Sequence, residues 1–233
     1  MGRKRDSLWT YLKSYYDVGI DSASAQKSVI PIVVLDTSAI IDLDTTLRKA
    51  KSNALEGMKY LVKQVNGGRR LRFVMSSDVM SEVKSHYKNN CVNGRREICE
   101  ATFGFLLVHF DLAKDEGLVY DLKLHSGADD LRLEARRQFY QNVTGKKADQ
   151  DPISATDWSL VDQALYLAWV SREAYLANNL ANQPRPVFRT AVLSSDSHIY
   201  GTLDRVLNST EGDQFREYVT AINVRDYEFG DIQ

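Results

Sequence analysis

The chain has 233 residues, of which 43% are hydrophobic and 26% are charged, and its formal net charge is −1. This length suits one α/β domain with extensions. The hydrophobic fraction excludes a chain too polar to bury a core. Two cysteines, Cys91 and Cys99, are too few for a disulfide framework and have no zinc-site spacing. No apolar stretch is long enough to span a membrane, and no apolar segment follows the basic start as in a secretory signal. We therefore expect a cytoplasmic protein in a reducing compartment, with no membrane partner.

The first 29 residues are predicted to be an N-terminal extension that ends in a Ser/Ala-rich linker. They contain one amphipathic helix, built on Leu8, Trp9, Leu12, Tyr15 and Tyr16. Residues 30–233 are predicted to form a single domain with an insertion at about 90–150.

Strand and helix patterns alternate through that domain. The β-branched run Val29–Leu35 predicts a central strand that is buried on both faces. In chain order we then predict a helix to about Val65, a turn at Asn66-Gly67-Gly68, a strand at Leu71–Met75, a Ser-capped helix carrying Glu82, a helix at Glu97–Lys114, a strand or extended segment at Leu118–Leu124, a helix at Ala128–Asn142, a long helix at Ser154–Leu180 after Asp151-Pro152, a loop at Asn182–Pro186, and strands at Thr190–Leu193 and Ala221–Val224.

This alternation predicts a three-layer α/β/α sandwich around a mostly parallel sheet. Ligand sites of such sheets lie beyond the carboxyl ends of the strands. Polar clusters follow three of the strands at that place: Asp36 after the first, Ser77-Asp78 after the second, and Ser195-Asp196 after the strand that ends at Leu193.

Each acid near these strand ends also has an ordinary structural explanation, because Asp caps helices and starts turns. Their shared position favours a common site instead. Asp36 and Asp196 both follow strands, and Glu82 lies in the first two turns of a helix. Asp157 either completes a capping box with Ser154 or faces the core at the start of its helix. Asp162, five residues later, points to another side of that helix, and spacing alone does not fix whether both acids reach one site.

A cluster of carboxylates is a site for hard divalent cations, which prefer oxygen ligands. Without a metal, the negative charges of four converging carboxylates would repel one another. One or two Mg²⁺ or Mn²⁺ ions would let the cluster activate water for phosphodiester hydrolysis, and no histidine is needed.

Four segments of the chain, taken in order, resemble the PIN-domain ribonuclease family. They are Val33-Val34-Leu35-Asp36-Thr37-Ser38-Ala39-Ile40-Ile41, then Ser77-Asp78-Val79-Met80-Ser81-Glu82-Val83, then Ile153 to Ala168 with its two acids, and finally Ala191-Val192-Leu193-Ser194-Ser195-Asp196-Ser197-His198-Ile199. The resemblance covers about residues 30–225. Each motif is short, so the weight of the resemblance comes from the ordered set.

The resemblance implies an endoribonuclease that hydrolyses single-stranded RNA and uses Mg²⁺ or Mn²⁺. Its implied metal ligands are Asp36, Glu82, Asp157 and Asp196, and Ser38 and Ser195 would assist through their hydroxyls. Asp162 competes with Asp157 for the role of the third acid, since family members differ there. The extension and the insertion favour a member with its own substrate or partner surface. A homodimer or a protein partner is also compatible with the family.

The charge distribution adds a candidate surface for nucleic acid. Residues 48–96 carry twelve basic and three acidic residues, a balance of +9, whereas residues 97–233 carry thirteen basic and twenty-two acidic ones, a balance of −9. The basic segment is either a solvated face or a phosphate-binding surface that includes Arg69, Arg70 and Arg72.

Two other functions remain as alternatives to the nuclease. A haloacid-dehalogenase-type phosphatase needs a second Asp two residues after the first, and Ser38 occupies that position. A PIN-like scaffold that binds RNA or a protein without cutting is the stronger rival, although all the expected acids are present.

Overall fold

The computed structural model describes residues 7–17, 29–49, 71–88, 91–92, 95–96, 98–119, 138, 141–142, 155–178 and 187–227. The helices are α1 (Leu8–Asp17), α2 (Thr37–Lys49), α3 (Ser77–Lys88), α4 (Glu100–Asp115), α5 (Ala155–Asn178) and α6 (Ser197–Leu207), and the strands are β1 (Val29–Leu35), β2 (Arg72–Val74), β3 (Cys91–Val92), β4 (Arg95–Arg96), β5 (Val187–Ser194) and β6 (Val219–Asn223). Short 3₁₀ turns at Asp213–Phe215 and Val224–Asp226 precede and follow β6.

The central sheet has four parallel strands in the order β2-β1-β5-β6. β1 and β5 are paired along the whole of β1, from Val29 opposite Val187 to Leu35 opposite Leu193. After β1 the chain moves outward to β2, and after β5 it moves outward in the opposite direction to β6. The strand order therefore reverses between β1 and β5, the place where parallel α/β sheets bind ligands.

Helices cover this sheet, so the predicted α/β class with a parallel sheet is confirmed, and the arrangement is compatible with a three-layer sandwich. α5 packs on β5, α6 on β6 and α4 on β2. Because right-handed crossovers that move in opposite directions put their helices on opposite faces, the reversal of strand order favours covering on both sides. No helix in the described ranges is both long and apolar enough to cross a membrane.

The N-terminal helix α1 belongs to the main core, although the sequence suggested an extension. Leu8, Leu12 and Tyr16 are buried in the same apolar cluster as β1 and β5. The Tyr16 hydroxyl donates a hydrogen bond to the carbonyl of Ile32 in β1 at 2.6 Å. The amphipathic helix was predicted, and its partner is the sheet itself.

Several element boundaries differ from those predicted. β5 begins at Val187 rather than Thr190, and α4 begins at Glu100 rather than Glu97. The pair β3-β4, a two-residue antiparallel ladder, was not predicted. Leu118 starts no strand; its N–H closes the end of α4 by donating to the Ala113 carbonyl at 2.8 Å.

Some predictions fall outside the described residues. These are the linker at 18–28, the helix beyond residue 49 with the turn at 66–68, the segment 120–124, most of the helix at 128–142, the break at 151–152 and the loop at 182–186. Within 128–142, residues 138, 141 and 142 are described as helical, and Gln138 Nε2 donates to Asn142 Oδ1 at 2.9 Å.

Candidate active site

Asp36 is the centre of the candidate site. It follows β1 directly, and its N–H continues the sheet ladder by donating to the Leu193 carbonyl at 3.0 Å. This bond fixes the backbone of Asp36 beside the end of β5. Its Oδ2 accepts hydrogen bonds from the Ser38 hydroxyl and, at 2.9 Å, from the Ser194 hydroxyl. The carboxylate is therefore held from both sides of the gap between β1 and β5.

The environment of Asp36 favours its neutral form. Its residue exposure is only 5%, and this burial raises the pKa of the carboxyl group above its usual value. Hydrogen bonds from Ser38, Ser194 and the Thr37 backbone lower the pKa in part, and the negative charge of Asp157 raises it again. A buried carboxylate of this kind is stabilised by a nearby cation.

Asp196 reaches the same site through Ser194. The Asp196 N–H donates to the Ser194 hydroxyl at 2.9 Å, and that hydroxyl in turn donates to Asp36. The Asp196 side chain caps α6 by accepting the His198 N–H at 2.8 Å. The Asp196 carboxylate thus caps the helix, while the Asp196 backbone is connected to the Asp36 carboxylate through the Ser194 hydroxyl.

Glu82 is connected to the site by Thr37. The Thr37 hydroxyl donates to Glu82 Oε2 at 2.9 Å, which links the start of α2 to α3. α3 itself begins with a serine cap, since the Val79 N–H donates to the Ser76 hydroxyl at 3.2 Å. The predicted cap for this helix is confirmed, and it sets the turn that carries Glu82.

Asp157 lies in the first turn of α5, and that turn is anchored at the end of β2. The hydroxyls of Ser76 and Ser159 are 2.9 Å apart, and Ser159 also donates to the Thr156 carbonyl at 2.8 Å. These bonds bring the start of α5 to the carboxyl edge of the sheet. The charge of Asp157 acts on Asp36 from there. Ser154, its suggested capping partner, is outside the described residues.

Asp162 is placed differently from Asp157. It is completely buried in α5, about 7.5 Å further along the helix axis at the usual rise per residue. Asp157 is only partly buried. The contact with solvent that a hydrated ion requires is therefore available at Asp157, and the part played by Asp162 stays a prediction.

Two of the polar residues at the site were not expected from the sequence. The serine that bonds Asp36 from β5 is Ser194, whereas Ser195 was expected to assist. Ser195 donates its N–H to the Ser38 hydroxyl at 3.0 Å, and its own hydroxyl is buried without a hydrogen-bond partner among the described residues. Thr37, whose hydroxyl bonds Glu82, is the second polar residue that was not expected. The pairing of Leu35 with Leu193 puts Asp36 beside Ser194, so the strand register was the missing signal.

The donors at this edge fit Mg²⁺ or Mn²⁺ in kind. They are carboxylate and hydroxyl oxygens, the ligands that these ions prefer. They include a desolvated acid and the Ser195 hydroxyl, which has no hydrogen-bond partner in the described part of the chain. Their positions do not by themselves form a complete metal site, because no group of three or more His, Cys, Asp or Glu among the described residues is positioned to hold a metal. Hydroxyls bond to these residues instead. The Thr37 hydroxyl donates to the Glu82 carboxylate, and the Ser194 hydroxyl connects the Asp36 carboxylate to the backbone N–H of Asp196.

The three arginines predicted to contact nucleic acid have separate positions. Arg69 and Arg70 lie outside the described residues. Arg72 begins β2 opposite Ile32, at the amino end of the strand, and both Glu116 carboxylate oxygens accept its guanidinium N–H groups at 2.6 and 2.7 Å. The structure therefore does not bring Arg72 to the acids.

We compared the chain with protein-family models, with curated proteins and with solved structures, and none of these comparisons finds a match.

Proposed function

We propose that this chain is a metal-dependent nuclease with a PIN-like fold, most simply an endoribonuclease that acts on single-stranded RNA. The observation that carries the proposal is the placement of Asp36. It is a buried carboxylate at the point where strand order reverses, with Asp157 acting on its charge and with Asp196 and Glu82 each connected through one hydroxyl-bearing residue. The preference for RNA follows the family resemblance of the motifs.

The connectivity of the site supports the PIN-like assignment. The first acid follows β1, the second lies on the helix after β2, the third starts the helix before β5, and the fourth follows β5. Parallel strands end on the same side of a sheet, which supports a common site for these acids. Such an arrangement needs both the order of the motifs and the sheet topology to agree, and here they do.

In the proposed mechanism, the chain positions oxygen donors around the scissile phosphate. Ser38 and Ser194 hold the Asp36 carboxylate, which limits its motion, and Thr37 orients Glu82. Asp36, Glu82, Asp157 and Asp196 would hold Mg²⁺ or Mn²⁺, which supplies activated water and stabilises charge on the leaving oxygen. The Ser195 hydroxyl has unused hydrogen-bonding capacity at the same edge.

The test is cleavage of a labelled single-stranded oligoribonucleotide in Mn²⁺, with and without chelator. We expect cleavage by the wild type, loss of cleavage with chelator, and a decrease of 100-fold or more on Asp36→Asn, on the order expected for a group that acts on the reacting atoms. Asp204→Asn is the matched control, since Asp204 is an exposed acid of α6, and it should cleave normally.

Two outcomes would reject the enzymatic proposal. Equal cleavage by wild type and Asp36→Asn would assign the activity to another site or to a contaminant. Binding of the oligonucleotide without any cleavage would favour the non-cutting scaffold. A matched DNA oligonucleotide in the same assay determines whether the sugar matters.

A further inference from the structure

An arginine lies at the same sheet edge as the acids. β5 and β6 are paired so that Ser194 is opposite Asn223. Asp196 and Arg225 each come two residues after these positions, so both lie just beyond the carboxyl ends of neighbouring strands. The Asn223 side chain accepts the Arg225 N–H at 3.1 Å and fixes the turn that carries the arginine.

Arg225 is held by an acid of α2, the helix that follows β1. Its Nε donates to Asp42 Oδ2 at 2.9 Å, and Asp42 belongs to α2, which begins directly after Asp36. The Arg225 side chain is nevertheless 66% exposed, so a ligand in solution can reach it. The hydrogen bond and charge of Asp42, with a smaller contribution from Asp196, raise the pKa of Arg225, which remains a cation at any working pH.

Folding stability gives little reason for this arrangement. An ion pair between an exposed arginine and a half-buried aspartate at the surface contributes little to stability, since water screens the charges and the long arginine side chain must be ordered. A guanidinium carries five N–H donors in a fixed fork that matches the oxygens of a phosphate. A nucleic-acid strand is a polyanion, and it meets several negative charges at this edge. A cation at the rim offsets that repulsion.

We propose that Arg225 binds a backbone phosphate of the nucleic-acid strand that is cleaved at the Asp36 centre, and that Asp42 is its positioning residue. This inference rests on the proposed function and adds to it the side of the site over which the strand runs, across the end of β6.

Two other arginines in the described part of the chain lie at the amino ends of strands, opposite the end that carries the acids. Arg72 begins β2 and is paired with Glu116. Arg216 precedes β6, is 48% exposed, and also has an aspartate partner, Asp213, at 3.2 Å. Its guanidinium also donates to the Leu207 carbonyl at 2.6 Å and to Asn208 Oδ1 at 2.7 Å. Arg216 is therefore a control for the loss of one positive charge at the other end of the same strand, and the denaturation midpoint of its variant shows whether folding is affected.

The experiment measures binding and cleavage separately. A labelled single-stranded oligoribonucleotide is titrated with wild type, Arg225→Gln, Arg225→Lys, Asp42→Asn and Arg216→Gln at several salt concentrations in chelator, and cleavage is followed in Mn²⁺. We expect Arg225→Gln to weaken binding about tenfold and to reduce the salt slope by about one. Arg225→Lys keeps the slope but binds less tightly, because it lacks the fork. Asp42→Asn keeps the slope, because the cation remains, and Arg216→Gln changes neither quantity.

The results separate this inference from the proposed function. Cleavage by the wild type with identical affinity and salt slope in Arg225→Gln would overturn the inference alone. Binding that weakens on Arg225→Gln without any cleavage would support a phosphate contact and reject the nuclease. A wild type that neither binds nor cleaves would overturn both. Equal weakening by Arg225→Gln and Arg216→Gln would show a general charge effect and would also reject a specific contact.

Discussion

The hydrogen bonds of Asp36 show how the chain keeps an acid in a buried position. A buried carboxylate without partners is costly, and here two hydroxyls and one backbone N–H partly offset that cost. These bonds also order the side chain. Ser194 has the larger effect on the site because it joins Asp36 to the Asp196 backbone, so a single hydroxyl sets the relative position of two acids.

Removal of the Ser194 hydroxyl should therefore affect cleavage as well as stability. In Ser194→Ala the Asp196 N–H loses its acceptor, and we expect the free energy of unfolding to fall by about 1–3 kcal/mol. The cleavage rate of the folded protein should fall about tenfold or more, because small displacements of catalytic groups reduce rates steeply. Denaturation midpoints and single-turnover cleavage measure the two effects.

Ser171 provides the matched control for that measurement. It is also a fully buried serine, and its hydroxyl donates to the Leu167 carbonyl at 2.6 Å and accepts the Phe188 N–H at 2.9 Å. Ser171→Ala should lose similar stability and keep the cleavage rate per folded molecule. Equal rates in the two variants would mean that Ser194 does not position the acids.

The site residues that the sequence predicted are marked by a pattern along the chain, and those that it missed are not. Asp36 and Asp196 were predicted because each ends a run of apolar strand residues, a pattern visible along the chain. Ser194 was missed in favour of Ser195, since the choice between them depends on the pairing of β5 with β1. The paired residues of β1 and β5 are 158 positions apart in the chain. Such pairing is a property of the tertiary structure and leaves no local pattern.

At the scale of elements, caps and apolar periodicity predicted where helices begin. Tertiary contacts determined which surface each helix packs against. A serine cap at Ser76 or Ser77 was predicted for α3, and Ser76 provides it. α1 was predicted as an amphipathic helix, but its apolar face alone did not identify the sheet as its partner. The Tyr16 bond to Ile32 and the Tyr15 bond to the Thr190 carbonyl at 3.1 Å make that contact specific.

His109 in α4 makes the folding stability depend on pH. His109 packs against the rings of Phe73 and Phe105, with centroids 5.3 and 4.2 Å away. Burial, followed by the positive charge of Arg72, lowers the pKa of His109 below its usual 6.5. The unfolded chain therefore takes up a proton before the folded one does. Stability is fully present above about pH 6.5 and is lost as the pH falls toward the folded-state pKa.

His109→Phe should remove this part of the acid sensitivity. We expect the difference in unfolding free energy between about pH 7.5 and about pH 5 to be smaller in the variant than in the wild type. Val206→Ala is the control, because Val206 is a buried residue of α6, which packs on β6 at the other side of the sheet, and the change removes no titrating group and leaves the His109 packing intact. It should shift stability equally at both pH values. An unchanged difference in His109→Phe would exclude His109 as the titrating group.

At the scale of the whole molecule, the reversal of strand order explains why the site lies where it does. β1 and β5 are neighbours in the centre of the sheet, and the chain leaves them in opposite directions. In sheets of this kind the connections after the two central strands diverge, and here Asp36 and Asp196 are the acids that follow those strands. The order of the motifs predicted a parallel sheet, whereas the order of the strands required knowledge of which strands pair.

The last prediction concerns the metal, and stability rather than cleavage measures it. Because burial raises the pKa of Asp36, the ionised side chain opposes folding, and this cost appears as the pH rises above the usual range of an aspartate. Without metal near neutral pH, Asp36→Asn should therefore be as stable as the wild type or more stable, by roughly 0.5–2 kcal/mol.

Addition of Mn²⁺ or Mg²⁺ should reverse that order. An ion bound only by the folded protein stabilises it by about 2.7 kcal/mol at 100 times its dissociation constant. The wild type and Asp204→Asn should gain this stability and lose it again with chelator, whereas Asp36→Asn should gain little. Thermal unfolding at matched ionic strength measures the difference. The same gain in Asp36→Asn would place the ion at another site, because the carboxylate at the end of β1 would then contribute nothing to its binding.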